Sequence, residues 1–294
     1  MHRVAVLKGL ISRIGVPTEQ RSVDAETVKT SYLAAGSGKP VLLLHGAGNG
    51  AIQWYTVIGP LSAHFQTVAP DVVGYGESDK PSAPYDRPFF SAWLRSLVDA
   101  LGLEKVSLVG TSQGGAIALQ FTLDNPEKVD RLVLVNSAGL GKASQEVPWN
   151  VKLRMMWQNL FPSPVSSRWF LEHYALFDSG KIDQAMIELE EYGREVLRMP
   201  GGRRAFWQGQ GRAVKPIPME QLGRILHPTL LIWGEEDRTF PLSSARAAAE
   251  IILNAQLQVI SKAAHTCFLE RPAEFNATLV RFLMERQSNQ ILAG

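Results

Sequence analysis

Short apolar runs alternate along this 294-residue chain with longer stretches of helical periodicity. The runs carry too few polar residues for a half-exposed sheet, so they predict strands that are buried on both faces. The pattern predicts an α/β fold with a mostly parallel central sheet and helices on both faces. The predicted strands are 41–45, 67–71, 106–110, 132–136, 229–233 and 257–260. Chemistry in such sheets gathers beyond the carboxyl ends of the strands, so a site is expected there.

Two segments depart from this alternation. Residues 19–35 alternate enough to predict an antiparallel edge hairpin with its turn at 24–26. Residues 139–224 are rich in Trp, Met and Phe at helical spacing and are divided by prolines. They predict a helical cap inserted into a core that comprises residues 19–138 and 225–294.

The first eighteen residues place apolar side chains at helical spacing, interrupted by Lys8 and Arg13. They predict an amphipathic helix over 1–18 that packs on the body of the protein or on a subunit neighbour, which makes a homodimer one expected assembly. Contact with a membrane surface is the alternative for this helix. Neither the unbroken apolar run of a signal peptide nor that of a membrane span is found. We therefore expect a cytoplasmic protein without stable membrane insertion.

Charge and residue spacing exclude several classes of partner. The formal net charge is only +2 and the basic residues are spread along the chain, so no nucleic acid partner is expected. The single cysteine, Cys267, is interpreted as a small buried residue. No pair of His or Cys has metal-ligand spacing, and the glycines at 46, 48 and 50 do not match a dinucleotide fingerprint. Neither a metal nor a cofactor is expected.

The segment Gly110-Thr111-Ser112-Gln113-Gly114 follows a predicted strand and precedes a good helix former. In that setting a Gly-x-Ser-x-Gly motif makes a sharp turn that holds the serine in a strained conformation above the sheet edge. A serine hydroxyl is a weak nucleophile unless a base activates it and a third group orients the base. Ser112 is therefore the candidate nucleophile.

An acid and a histidine follow the serine on two consecutive strand-end loops. Asp237 comes after the strand 229–233, and His265 comes after the strand 257–260, which is the chain order expected for this motif. Glu236 competes for the role of the acid, and the position near Asn136 is an alternative. Asp71 and His45 are interpreted as structural residues, the latter as support for the loop that follows it.

Negative charge that develops on a substrate oxygen needs backbone N–H donors. The strand 41–45 leads into a loop with three glycines, whose backbone can approach a substrate closely. We assign the two donors of this oxyanion hole to the amides of Ala47 and Gln113, with Gly48 as the alternative in the loop.

Five stretches of the chain together resemble the α/β-hydrolase superfamily. They are 45–48, 71–78, 110–115, 233–237 and 264–265. The resemblance runs from about residue 20 to 285 and implies the fold and a Ser-His-Asp triad. It does not fix the substrate, because this fold hosts many chemistries. Relatives that attack with an aspartate are excluded, because this chain has Ser112 in that place.

The first hypothesis for function is a carboxylesterase (EC 3.1.1) acting on apolar aryl or short-to-medium acyl esters through an acyl-enzyme. The alternative is a meta-cleavage-product hydrolase (EC 3.7.1), which cuts a C–C bond in diketo acids and can overlap with esterases. That family commonly has Asn before the serine and Trp after the histidine, where this chain has Thr111 and Thr266. Its cap arginine has a counterpart in Arg194 or Arg198. A peroxidase branch and a non-catalytic receptor are the remaining alternatives.

Cap side chains are expected to line an apolar pocket over the strand ends. The candidates for contact with substrate are Trp157, Phe170, Trp207 and Arg194.

Overall fold

An eight-stranded sheet forms the centre of the computed structural model, which describes residues 2–141 and 164–285. Its strands in chain order are β1 Glu19–Ala25, β2 Val28–Ala35, β3 Pro40–Leu44, β4 Gln66–Pro70, β5 Val106–Thr111, β6 Val129–Val135, β7 Thr229–Gly234 and β8 Ala255–Ile260. Their spatial order within the described ranges is β1-β2-β4-β3-β5-β6-β7-β8. Neighbouring strands in the row β4-β3-β5-β6-β7-β8 are parallel, whereas β2 pairs antiparallel with both β1 and β4. The mostly parallel sheet is confirmed.

Helices follow most of the strands. Those in the described residues are α1 His2–Ser12, α2 Tyr55–Ser62, α3 Arg87–Ala100, α4 Gln113–Asp124, α5 Pro164–Phe170, α6 Gln184–Arg198, α7 Gly202–Arg212, α8 Met219–Leu222, α9 Leu242–Ile251, α10 Cys267–Glu270 and α11 Pro272–Met284. Helix α3 packs on α4, and α2 packs on α11. Strands β3, β5 and β7 are buried along almost their whole length, because helices cover them.

Strand ends agree with the apolar runs to within a few residues, and the edge hairpin differs from its prediction. Strand β1 continues through Ala25, which pairs with Val28, so the turn is Glu26-Thr27 instead of 24–26. Glu26 has a φ of 54°, in the left-handed region that two-residue hairpin turns use. The alternation of side chains could not show which residue would adopt that conformation.

The N-terminal helix is shorter than the predicted segment 1–18. It ends at Ser12, and Gly15 then takes a φ of 78° before Pro17. Leu10 is fully buried, and α1 packs on α6 in the segment between β6 and β7. The described part of that segment, 164–222, is mainly helical. No helix in the described ranges is both long and apolar enough to cross a membrane.

Candidate active site

Ser112 occupies the tight turn between β5 and α4. Its backbone has φ 53° and ψ −121°, a strained conformation for a residue with a side chain. A methyl group on Gly110 would overlap the carbonyl of Gly114, and one on Gly114 would overlap the carbonyl of Leu44. The turn can therefore close only with glycine on both sides of the serine, as the motif predicts.

His265 and Asp237 lie together at the ends of neighbouring strands. The Nδ1 atom of His265 lies 3.0 Å from Oδ2 and 3.2 Å from Oδ1 of Asp237. The Asp237 side chain is fully buried and also accepts hydrogen bonds from the amides of Thr239 and Phe240. Glu236, the competing acid, is exposed. Among the described residues no hydrogen bond joins His265 to Ser112, a bond that is often long before substrate binds.

Asn136 forms a hydrogen bond with Asp237, the candidate acid, and this role was not predicted from the sequence. Its Nδ2 donates to Asp237 Oδ2 at 2.7 Å, and its Oδ1 accepts from the Gly234 amide at 3.3 Å and from the Cys267 thiol at 3.2 Å. Asn136 is fully buried and has a φ of 43°. It follows β6, the strand between those that carry Ser112 and Asp237, and this position is the only signal that could have indicated it.

The glycine-rich loop after β3 lies beside the nucleophile. A methyl group on Gly46 would lie 3.8 Å from Ser112 Oγ, so the loop backbone reaches the serine closely. Gly48 has a φ of 79°, which turns the loop there. Gln113 is the first residue of α4, whose first amides have no partner within the helix. Ala47 and Gly48 follow Gly46 in this loop and Gln113 follows Ser112 in the chain, so their assignment as oxyanion donors stays a prediction.

Two buried ionisable residues fix this loop. His45 Nε2 accepts from the Val72 amide at 2.9 Å, while Nδ1 contacts the Gly46 carbonyl at 2.7 Å. Burial lowers the pKa of His45 to about 4, so the ring is neutral at pH 7. Asp71 accepts from the amides of Ala51 and Glu77, and burial raises its pKa to about 6. These contacts fit a structural role for both residues.

Helices α6 and α7, which lie between β6 and β7 in the chain, pack on the glycine-rich loop after β3. A methyl group on Gly193 of α6 would lie 2.8 Å from the Gly48 carbonyl oxygen. One on Gly48 itself would lie 3.2 Å from the Phe206 ring of α7 and 3.6 Å from Leu197. Close contact at Gly193 and Gly48 therefore places the apolar side chains Phe206 and Leu197 over the candidate oxyanion hole.

The predicted substrate contacts fall in different places. Phe170 is half-buried against the core. Arg194 is 8% exposed and adjoins Gly193, whereas the other candidate, Arg198, is exposed and paired with Glu195 at 3.0 Å. Trp157 lies outside the described residues.

Trp207 does not fit its predicted place in an enclosed pocket. It is 61% exposed, because on α7 it points away from the face that carries its neighbour. Phe206 is the residue of this pair that lies against Gly48. The periodicity of the sequence marked both rings as candidates and could not choose between them.

Metal-ligating side chains do not gather in groups of three anywhere in residues 2–141 and 164–285. The chemistry available at this site is that of the serine, the histidine, the buried carboxylate and the backbone amides around them.

Known proteins share both the pattern and the fold. A family model for the alpha/beta hydrolase fold matches residues 39–168 and 175–272. The 2-hydroxymuconate semialdehyde hydrolase of Pseudomonas sp. (strain CF600) is 31% identical over 94% of this chain and 97% of its own.

Two solved structures superpose on most of the chain. A 2-hydroxy-6-oxo-6-phenylhexa-2,4-dienoate hydrolase from Rhodococcus sp. strain RHA1 has a TM-score of 0.80 and 27% identity, over 92% of this chain and 100% of its own. The carboxylesterase CesB from Bacillus subtilis has a TM-score of 0.84 at 23% identity, over 96% and 97%, a likeness of fold alone. By its match to the family model and its sheet order, the chain belongs to the α/β-hydrolase family.

Proposed function

We propose that this α/β hydrolase cleaves a C–C bond in 2-hydroxy-6-oxo-dienoates, with Ser112 as nucleophile, and that carboxylic esters are its second class of substrate. The observation that carries the choice is the buried Arg194, which adjoins the residue of α6 that touches the Gly48 loop. We infer that Arg194 turns its charge toward the cleft, where a cation kept from water suits an anionic substrate group. Dienoates carry a carboxylate, and simple aryl esters do not. The 2-hydroxymuconate semialdehyde hydrolase and the dienoate hydrolase among the relatives support the same choice.

Two acidic neighbours on α6, Glu190 and Glu191, act on the charge of Arg194. Glu190 precedes Arg194 by one helical turn, and burial raises its pKa to about 7, so a large fraction of this carboxyl group is protonated near neutral pH. A substrate carboxylate therefore competes for Arg194 with Glu191 and with the ionised fraction of Glu190.

The reaction uses the triad in two stages. Ser112 Oγ attacks the ketone carbon while His265 takes its proton, oriented by Asp237, and the amides of Ala47 and Gln113 hold the oxyanion. The C–C bond then breaks with its electron pair delocalised into the vinylogous keto acid, which takes the proton from His265 and leaves the imidazole neutral. Water activated by His265 hydrolyses the acyl-enzyme, so each turnover consumes one water.

Thr266 favours the second candidate, an esterase. Its hydroxyl donates to the Ala175 carbonyl at 3.1 Å, so the residue after the base bonds the segment between β6 and β7 instead of presenting a Trp ring to the cleft. An ester needs only the triad and the oxyanion hole. The same Ser112 chemistry would then release an alcohol in place of a carbon leaving group.

A substrate panel tests both candidates. The wild type should bleach a yellow dienoate with a kcat/KM at least about tenfold above that for p-nitrophenyl esters, and Ser112→Ala should lose at least about a thousandfold with either. Faster turnover of the esters would favour the esterase. Undiminished turnover by Ser112→Ala would contradict both.

Arg194 should set the affinity for the carboxylate. Arg194→Met should raise KM for the dienoate by about ten- to a hundredfold, the effect of losing one hydrogen bond to a charged group, and leave p-nitrophenyl acetate unaffected. Arg198→Met is the matched control, because Arg198 is exposed on the same helix. Equal losses on both substrates would show that Arg194 only supports the cap.

A further inference from the structure

Glu270 is a buried carboxylate that the proposed reaction does not use. It lies five residues after His265, at the end of α10, and is 2% exposed. Its Oε2 accepts from the Ala264 amide at 2.6 Å. Its Oε1 accepts from the amides of Phe177 at 2.7 Å and Asp178 at 3.2 Å. One side chain thus bonds both the catalytic loop and the segment between β6 and β7.

The two segments also meet through other atoms. Lys181 Nζ donates to the Glu270 carbonyl at 2.7 Å. The amide and hydroxyl of Thr266 both reach the carbonyl of Ala175, at 3.3 and 3.1 Å. Residues 175–181, here called the cap segment, are therefore fastened on both sides of His265, through Ala264 before it and Thr266 after it.

The charge of the side chain matters because a carboxylate has two acceptor oxygens and no donor. Burial opposes ionisation and raises the pKa of Glu270, whereas the three amides favour the carboxylate. A glutamine has one oxygen and one NH2 group. It can accept from Ala264 or from Phe177 and Asp178, and it then turns an N–H toward the other donors.

We propose that Glu270 is a positioning residue that couples the place of the cap segment to the alignment of His265. The inference rests on the proposed triad. When the cap segment is seated, its two amides and that of Ala264 share the carboxylate, and the loop that presents the base is held in one arrangement. When the cap segment moves away, the Glu270 carboxylate loses the amides of Phe177 and Asp178, and its side chain is no longer held where it accepts from the Ala264 amide. His265 is therefore aligned to act as the base only when the cap segment is seated.

Kinetics test this coupling with Glu270→Gln and a matched control, Glu274→Gln, an exposed carboxylate on α11. Glu270→Gln should lower kcat by about ten- to a hundredfold, because a small displacement of the base is costly, and change KM less. It should also slow the reaction of Ser112 with a small fluorophosphonate, while Glu274→Gln stays at the wild-type rate. An unchanged kcat and labelling rate in folded Glu270→Gln would overturn the proposal.

Hydrogen exchange gives a second test, which starts from the wild type. In the wild type the amides of Phe177, Asp178 and Ala264 should open with one shared free energy, and Glu270→Gln should lose protection at both segments together. Separate opening of the two segments in the wild type would overturn the coupling. Ser112→Ala distinguishes the failures: retained turnover there refutes the triad, whereas an inactive Ser112→Ala beside a normal Glu270→Gln refutes only the role of Glu270.

Discussion

His45 shows how burial assigns roles to chemically similar side chains. Both of its ring nitrogens are engaged, with Val72 and with Gly46, and it is 1% exposed. It has no lone pair left for a substrate proton. His265 is more exposed, at 18% for its side chain, and only its Nδ1 is committed, to Asp237. Of these two histidines, only His265 can act as the base.

The lowered pKa of His45 predicts a loss of stability in acid. Its pKa is about 4 in the folded chain and about 6.5 when unfolded, so the unfolded state binds the proton first as the pH falls. The stability is present above pH 6.5 and is lost between about 6.5 and 4, by up to about 3 kcal/mol. Urea unfolding at pH 7 and 4.5 measures the net change in the wild type, which combines this loss with any other buried group that titrates in the range.

His45→Gln isolates the contribution, because Asp71 changes stability in the opposite sense. The pKa of Asp71 is raised to about 6, so its contribution is present in acid and is lost as the pH rises through 6. The variant should lose less stability than the wild type between pH 7 and 4.5. The same pH dependence in both proteins would contradict a neutral buried His45.

Among the elements, helix α1 links the core of the protein to the segment between β6 and β7, because it packs on α6. Its buried face includes Leu7 and Leu10, and just after the helix Ile14 is buried and Arg13 pairs with Glu188 of α6 at 3.2 Å. Gly59 of α2 leaves room for this arrangement, since a methyl group there would lie 2.7 Å from the Ile14 carbonyl oxygen. The sequence predicted the helix but not which elements it touches.

Leu10→Ala should cost about 2–5 kcal/mol of unfolding free energy, because Leu10 is fully buried and its loss leaves a cavity. Val4→Ala on the same helix is the control, since Val4 is 46% exposed and should change stability by less than about 0.5 kcal/mol. Denaturant unfolding of the two variants checks this. Equal effects would mean that α1 does not pack as described.

The whole molecule brings the site together through the order of its strands. Ser112, Asn136, Asp237 and His265 follow β5, β6, β7 and β8, which are neighbours in the sheet. Three of these residues could be predicted, because their motifs and chain order carry the information. Asn136 and Glu270 could not, because their roles depend on which loops meet after folding. The predicted place of Trp207 in an enclosed pocket was missed for a related reason, because helical periodicity does not show which face of a helix lies toward the cleft.

Covalent labelling of the nucleophile tests the proposed chemistry most directly. Wild-type protein is incubated with a fluorophosphonate, and the adduct is located by peptide mass spectrometry. A single adduct on Ser112 is expected, absent from Ser112→Ala and formed at least about a hundredfold more slowly in His265→Ala, because the serine then has no base. Labelling at another residue, or wild-type labelling of His265→Ala, would contradict a triad of Ser112, His265 and Asp237.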